Sequence, residues 1–572
     1  MHLTIHPFSD LRLGPIRTLR TEQELVAKAG RVTVIEGDSG CGKSSLLEIL
    51  AGCRGGRTVK GDLKIQVCRS EGEPPIPLTA FRAEAPSRLA YLPQATVLRP
   101  FISPKRLLQS WRELLSAAYC RQDSVPRYVD AAQKELTTAL FGVTEQDQIF
   151  DRKRVTHAST LSGGQKRRLD VVLTLTAPAE IILLDEPDTG LHGDGRKQLY
   201  DELVEFAKSR NRIVILVSHH ASGSITGHDF DCWRITVNGG ALDGCVEQLE
   251  QNRGSTALPV PAMHSAPEDN HDRRIYQAWA YLKLRLAGDI GNWQDTCLWR
   301  AGIPVALLLL IRGALAGSTG DDASMKELFF FSVTTFWLGA VQTGNFWAEE
   351  FVWFRRECLQ GVSRASYVAG FMLHSLLVAG LQCACATAAL LVKNTGINSE
   401  YGKVFVCGIW SAANGLVAGL LTGSVLFWLS RRKRPAEAPN AKTAQLCVLL
   451  VTLIAIVYSY PVIGVNAYSP DSRPSCEQNT HNRMAIIAAK WQDASRTNLI
   501  QTFAVLAAEA PWLSQSPFHA LWFQGEQYLQ PGRDKGDASS SLRREVVLNM
   551  GILLLAVGGC LLFARSFTRY SS

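Results

Sequence analysis

Hydrophobic positions fall into two patterns along the chain. Up to about residue 250, short β-branched runs (Arg31–Ile35, Ile181–Leu184, Ile213–Val217) alternate with longer mixed stretches. That alternation predicts a parallel sheet covered by helices. After about residue 298 apolar runs recur near 301–317, 328–347, 368–391, 404–429, 445–465 and 546–564. A helix needs about 20 mainly apolar residues to cross roughly 30 Å of hydrocarbon. These runs are apolar all round rather than along one stripe, which predicts six membrane spans. The first is the weakest, because it holds Pro304 and Arg312.

Between the two regions, residues 252–272 are rich in Pro, Ser, Asn and Ala and read as a linker. Residues 273–297 follow. In them Ile275, Trp279, Leu282 and Leu286 recur at i, i+4, i+7 and i+11 beside Arg274, Lys283 and Arg285. This predicts an amphipathic helix lying on a membrane surface. Residues 298–572 form the expected membrane domain. Within it, 466–545 is too long for a tight turn and predicts a small external structure between spans five and six.

Composition narrows the class. Hydrophobic residues make up 46% and charged residues 20%, which excludes a disordered or collagen-like chain. The mean hydropathy of +0.02 averages two unlike regions. Asp10 and Arg12 interrupt the start of the chain, so it does not read as a signal peptide. The net charge of +8 needs no nucleic acid to explain it. Loops at 349–366 and 430–444 and the tail after 564 carry Arg355, Arg356, Arg364, Arg431, Arg432, Lys433, Arg434, Lys442, Arg565 and Arg569. The opposite loops carry Lys326, Lys393 and Lys403. This asymmetry predicts a multi-pass membrane protein with both termini in the cytoplasm. The 14 cysteines include no CxxC pair, which argues against a zinc site and a disulfide framework. Cys476 stands alone within 466–545, so a bridge between two copies and a free thiol both remain open.

Three motifs carry chemistry. Gly37, Asp38, Ser39, Gly40, Cys41, Gly42, Lys43 and Ser44 match GxxxxGK[ST] between a β-branched run and the helix-like stretch Ser45–Leu50. Backbone N–H groups of such a loop cradle phosphates, with Lys43 at the β- and γ-phosphates and Ser44 on Mg²⁺. Ile181–Leu184 runs into Asp185 and Glu186, an apolar strand ending in two carboxylates. Asp185 is placed to hold Mg²⁺ and Glu186 to polarise an attacking water. Between them stands Leu161, Ser162, Gly163, Gly164 and Gln165, a second anion-binding helix start.

LSGGQ, with a phosphate loop upstream and LLDEP just downstream, resembles the nucleotide-binding domain of ABC ATPases. The resemblance implies an α/β P-loop ABC domain over 1–251, followed by an all-α membrane domain of six helices. It implies ATP and Mg²⁺ as cofactors. It extends to Gln94 in Tyr91-Leu92-Pro93-Gln94 as the Q-loop glutamine on Mg²⁺ or water, and to His219 as the switch histidine at the γ-phosphate. Two positions depart from the family. His192 stands where the D-loop normally has Asp, and Phe8 offers only an uncertain register for the aromatic that stacks on adenine.

The order of domains resembles the G subfamily of half-transporters, the white-pigment, sterol and multidrug group. Glu350, Phe354, Arg356, Glu357, Gly361, Ser363 and Tyr367 resemble that subfamily's pattern between spans two and three, where a short coupling helix touches the nucleotide domain. One phosphate loop and one LSGGQ per chain imply a second chain, with a homodimer favoured over a similar half-transporter. The expected function is ATP-driven export of a hydrophobic or amphipathic substrate across the plasma or bacterial inner membrane. The alternative is a membrane-bound ABC ATPase that drives or regulates a partner without transporting. Few ionisable groups interrupt the spans; Arg312 and His374 are the notable ones, and the substrate itself is not legible.

Overall fold

The computed structural model describes residues 1–294 apart from 14–16, 54–58, 61–62, 71, 85–87, 119–123, 152–154, 156, 219–229, 238–242 and 250–270. It then describes 302, 305–306, 309, 321–344, 346–359, 362–391 and 401–433. Among these, Met1–Asn292 and Val352–Phe371 form one compact unit, while Trp293–Phe351 and the helices from Met372 form a second.

Among the described residues the first unit is built on a nine-stranded sheet that runs from Val59–Lys60 at one edge to Leu89–Leu92 at the other. Its centre is parallel: β9 (Leu89–Leu92), β10 (Ile181–Asp185), β11 (Ile213–Val217), β5 (Val32–Gly37) and β12 (Phe230–Val237) run the same way. Strands β10 and β11 are buried at every position. Both faces are covered, so IILL and IVILV read as continuous apolar runs instead of alternating ones. The outer part, β13 (Asp243–Leu249), β3 (Arg17–Thr21), β2 (Phe8–Leu13) and β6 (Val59–Lys60), includes antiparallel pairs. A separate antiparallel sheet joins β4 (Leu25–Lys28), β1 (His2–Ile5), β7 (Ile65–Cys68) and β8 (Ile76–Pro77). One apolar core fills the space between the sheets and helices α1 (Lys43–Leu50) and α2 (Leu78–Glu84).

Phe8 belongs to that core and is 6% exposed. Its ring is committed to packing and presents no face to an adenine.

Helices α3 (Pro104–Ala118), α4 (Ser124–Ile149, broken at Gly142 with φ 69°), α5 (Gly163–Leu175) and α6 (Gly193–Arg210) complete this part. The indole N–H of Trp111 on α3 donates to the Leu173 carbonyl of α5 at 2.8 Å. Helix His271–Gly291 packs along α3. Its predicted apolar stripe divides. Ile275 and Trp279 are exposed, but Leu282 is 2% exposed. Gln277, Ala280, Tyr281 and Leu284 follow the helical repeat and form one buried face, and Leu282, off that face, is buried as well, so protein packing claims more of the helix than one stripe.

The charged loop 349–366 also differs from a solvated positive face. Helix Phe351–Leu359 lies within it, and Arg356 and Glu357 are 7% and 5% exposed. Glu357 pairs with Arg99 at 2.9 Å, and Arg99 also donates to the Tyr367 hydroxyl at 3.1 Å. Arg99 lies over the rings of Tyr281 and Trp353, a cation–aromatic arrangement that suits a desolvated guanidinium. Arg355 donates to the Cys53 carbonyl at 3.2 Å.

Three of the predicted apolar runs coincide with helices Asp321–Gly344, Arg364–Leu391 and Tyr401–Lys433. Among the described residues one helical stretch, Arg364–Ala388, is long and apolar enough to cross a membrane. The runs at 445–465 and 546–564, the segment 466–545 with Cys476, and nearly all of 301–317 lie outside the described residues. Helices Asp321–Gly344 and Tyr401–Lys433 meet along Gly415, Gly419 and Gly423, one turn apart. A Cβ on Gly415 would stand 2.0 Å from the Phe336 carbonyl oxygen, and one on Gly419 2.1 Å from that of Ala340. Small residues four apart let helix backbones touch. Thr343 Oγ1 donates across the seam to the Leu416 carbonyl at 2.5 Å. Gly419→Leu therefore forces the two backbones apart, at a cost of about 1–3 kcal/mol or more. The expected result is a lower unfolding midpoint and loss of the monodisperse peak in size-exclusion chromatography, with Val425→Ala, at an exposed position of the same helix, as the milder comparison.

Candidate nucleotide site

Parallel pairing delivers the site. Leu92 is registered with Leu184, Asp185 with Val217, and Val217 with Ile35, so the strands end together at one sheet edge. Ligands in open α/β sheets bind at that carboxyl edge. Gln94 follows β9 there and is exposed. The phosphate loop follows β5, and α1 begins at once with Gly42 as its N-cap.

The loop needs its glycines. Gly37, Gly40 and Gly42 have φ of 148°, 77° and 112°, values that L side chains avoid. A Cβ on Gly37 would also stand 2.5 Å from the Ile235 carbonyl oxygen. Asp38, Ser39 and Gly40 are exposed, Cys41 and Lys43 are buried, and Gly42, Ser44 and Ser45 are intermediate. Lys43 Nζ donates to the carbonyls of Gly37 at 2.7 Å and Asp38 at 2.8 Å. The ammonium is thereby folded back under the loop that would hold phosphates.

Ser44 Oγ donates to Asp185 Oδ1 at 2.9 Å, joining the first motif to the second. Asp185 is 2% exposed. Burial pushes its carboxyl up to about 6; the Ser44 hydroxyl opposes this, and the charges of Glu186 and Glu48 add to it. Two hard oxygen donors in contact suit Mg²⁺. Glu186 adopts φ 49°, left-handed for a residue with a side chain, a conformation that costs on the order of 1 kcal/mol or more and persists only where neighbours hold it. Its N–H donates to the Val217 carbonyl at 3.0 Å and Thr189 Oγ1 donates to its Oε2 at 3.2 Å.

Ser162 caps α5. Its Oγ accepts from the Gln165 N–H at 3.2 Å, and Gln165 Oε1 accepts from the Ser162 N–H at 3.0 Å. Such a capping box orders the helix start. Ser162 and Gly163 are exposed. Gly164 packs under the D-loop, where a Cβ would stand 2.9 Å from the Gly190 carbonyl oxygen. His219 lies outside the described residues; Ser218 just before it is buried, with Tyr200 OH at 2.7 Å and Asp188 Oδ2 at 3.1 Å. Sequence reasoning passed over Arg167, Asp170, Asp188 and Tyr200. The available signal was Asp170 and Thr174, polar positions one turn apart within the apolar run Leu169–Leu175, which demand buried partners; Arg167, between Lys166 and Arg168, carried none.

Comparison with known proteins agrees with this geometry. Residues 22–189 match the family model described as ABC transporter. The chain is 30% identical over 210 residues to ABC transporter G family member 5 of Dictyostelium discoideum, covering 36% of this chain and 12% of that protein. It is 25% identical over 238 residues to ABC transporter G family member 23 of Arabidopsis thaliana, covering 41% of this chain and 36% of that one. It is 26% identical over 257 residues to mouse ATP-binding cassette sub-family G member 5, covering 44% and 36%. The match thus spans well under half the length of each relative. Fold, motif geometry and family match together make the N-terminal region an ABC-type P-loop ATPase domain with modestly similar G-subfamily homologues.

His192 is the N-cap of α6 and makes no capping hydrogen bond. An Asp there would accept from the first-turn N–H groups and face the helix dipole favourably, for about 1 kcal/mol. His192→Asp is expected to raise the first thermal unfolding midpoint by about 2–4 °C. Differential scanning calorimetry of the purified protein checks this.

Proposed function

We propose that this chain is an ATP-driven export half-transporter that works as a dimer, with ATP hydrolysed between the phosphate loop of one copy and the LSGGQ of the other. The observation that carries the reading is one compact unit holding both the ATPase motifs and Val352–Leu359 of helix Phe351–Leu359. That helix comes from the stretch between two apolar helices, and it buries charged side chains among residues of the ATPase domain. Exposure of Ser162 and Gly163, with one phosphate loop per chain, supports completion of each site by a second copy. A homodimer is the simplest arrangement.

In this reading Lys43, released from the Gly37 and Asp38 carbonyls, neutralises the β- and γ-phosphates, while loop N–H groups from Gly37 to Ser45 cradle them. Ser44, Asp185 and Gln94 would hold Mg²⁺, which would supply charge neutralisation at the phosphates. Glu186 orients and polarises the attacking water, and His219 contacts the γ-phosphate. Gln165 and Ser162 order the signature helix N-terminus that faces the other copy's nucleotide. The six-span layout, with both termini cytoplasmic, places the apolar helices in the bilayer. Leu373, Leu376, Leu377 and Leu381 form an exposed leucine stripe on Arg364–Leu391 that suits lipid or a second copy. A hydrophobic or amphipathic cargo fits the scarcity of ionisable groups in the spans.

Purified protein in liposomes tests both halves of the reading. Glu186→Gln is expected to bind ATP and to hydrolyse it about 100–1,000-fold more slowly, the loss of about 3–4 kcal/mol of transition-state stabilisation. Lys43→Ala is expected to weaken ATP binding itself. ATP-dependent flux of a lipid or amphipathic drug, absent in Glu186→Gln, supports export. Full ATPase activity without flux across such a panel points instead to a non-transporting ATPase.

A further inference from the structure

The signature helix α5 carries a buried polar stripe that the motif roles leave unexplained. Arg167 is 1% exposed and Asp170 0%, and they stand one turn apart. A charge removed from water this completely must be paired and hydrogen-bonded. Arg167 Nη1 donates to the Pro93 carbonyl at 2.8 Å. Its Nε and Nη2 donate to the Glu186 carbonyl at 3.1 and 2.9 Å, and Nη2 also to that of Asp185. Asp170 Oδ2 accepts from the Val97 N–H at 3.0 Å, and Oδ1 pairs with Arg356 Nη2 at 2.5 Å. Arg356 in turn donates to the Val97 carbonyl.

These bonds share one geometry. The loop holding Gln94 is gripped at Pro93 by Arg167 and at Val97 by Asp170. The Arg167 grip continues to the main chain of Glu186, whose left-handed backbone needs holding. The Asp170 grip continues to Arg356 on helix Phe351–Leu359. We infer that Arg167 and Asp170 are positioning residues: they set the Gln94 loop and the Glu186 backbone, and they make hydrolysis depend on Arg356 being seated. Withdrawal of Arg356 leaves the Asp170 carboxylate buried without its countercharge, which disfavours the seated loop. None of the contacts found for Arg167 or Asp170 is to the phosphate loop, so ATP binding is spared. The inference rests on the reading of Glu186 as the base.

Full-length protein in lipid nanodiscs tests it through steady-state ATPase kinetics and the Kd of a fluorescent ATP analogue. Arg167→Met is expected to lower kcat about 10–100-fold with Kd changed by less than about twofold; Arg167→Lys falls between it and wild type. Asp170→Asn and Arg356→Met are each expected to lower kcat, and the double variant to be no slower than the worse single one, because both break one unit. Wild-type kcat in both Arg167 variants overturns the inference. So does a kcat loss that only tracks lost ATP affinity, or a double variant whose loss is the product of the two singles. Arg167→Lys keeps the test decisive if Arg167→Met does not fold. Glu186→Gln is assayed alongside. Wild-type turnover in that variant removes the base assignment, whereas its inactivity beside normal Arg167 and Asp170 variants removes the clamp alone.

Discussion

Parallel registration of β9, β10, β11 and β5 is the constraint from which the site follows. Four strands running the same way place four loops at one edge, and three of these loops carry Gln94, Asp185 with Glu186, and the phosphate loop. The fourth carries Ser218. Side chains alternate along a strand, so a slip of β10 by one residue would turn Asp185 to the opposite face and break its contact with Ser44. The same registration brings the Glu186 N–H to the Val217 carbonyl. The apolar burial of IILL and IVILV thus fixes polar geometry several residues away.

What the sequence made legible was local. The phosphate loop could be read because its backbone demands positive φ at Gly37, Gly40 and Gly42. Strands β10 and β11 could be read because burial on both faces leaves an unbroken apolar run. The capping box at Ser162 and Gln165 lies within four residues. What escaped reading was long-range. Arg356 and Glu357 fall in a pattern whose resemblance implies contact with the nucleotide domain, but their partners, 186 and 258 residues away, carry no local signal. Leu282 looked like part of a membrane-facing stripe because sequence spacing does not distinguish a protein neighbour from a lipid one. Phe8 is aromatic and suitably upstream, and only the core around it shows that its ring is already used.

The buried pairs Arg99–Glu357 and Asp170–Arg356 add little net stability but are costly to break. Desolvation offsets most of the attraction between buried charges, while loss of one partner costs about 3–5 kcal/mol. Helix Phe351–Leu359 therefore has one low-energy seating, and partial displacement is penalised steeply. The rings of Tyr281, Trp353 and Trp111 around these guanidiniums exclude water from the pairs and reinforce that preference.

The glycine seam between Asp321–Gly344 and Tyr401–Lys433 has a mechanical consequence. Side-chain interfaces accommodate small tilts by exchanging rotamers, but Gly415, Gly419 and Gly423 have no rotamers to exchange. With backbone pressed on backbone and Thr343 pegged to the Leu416 carbonyl, the pair has no soft intermediate arrangement. It transmits displacement as a single stiff beam, and any bending in this part of the molecule must be taken up elsewhere.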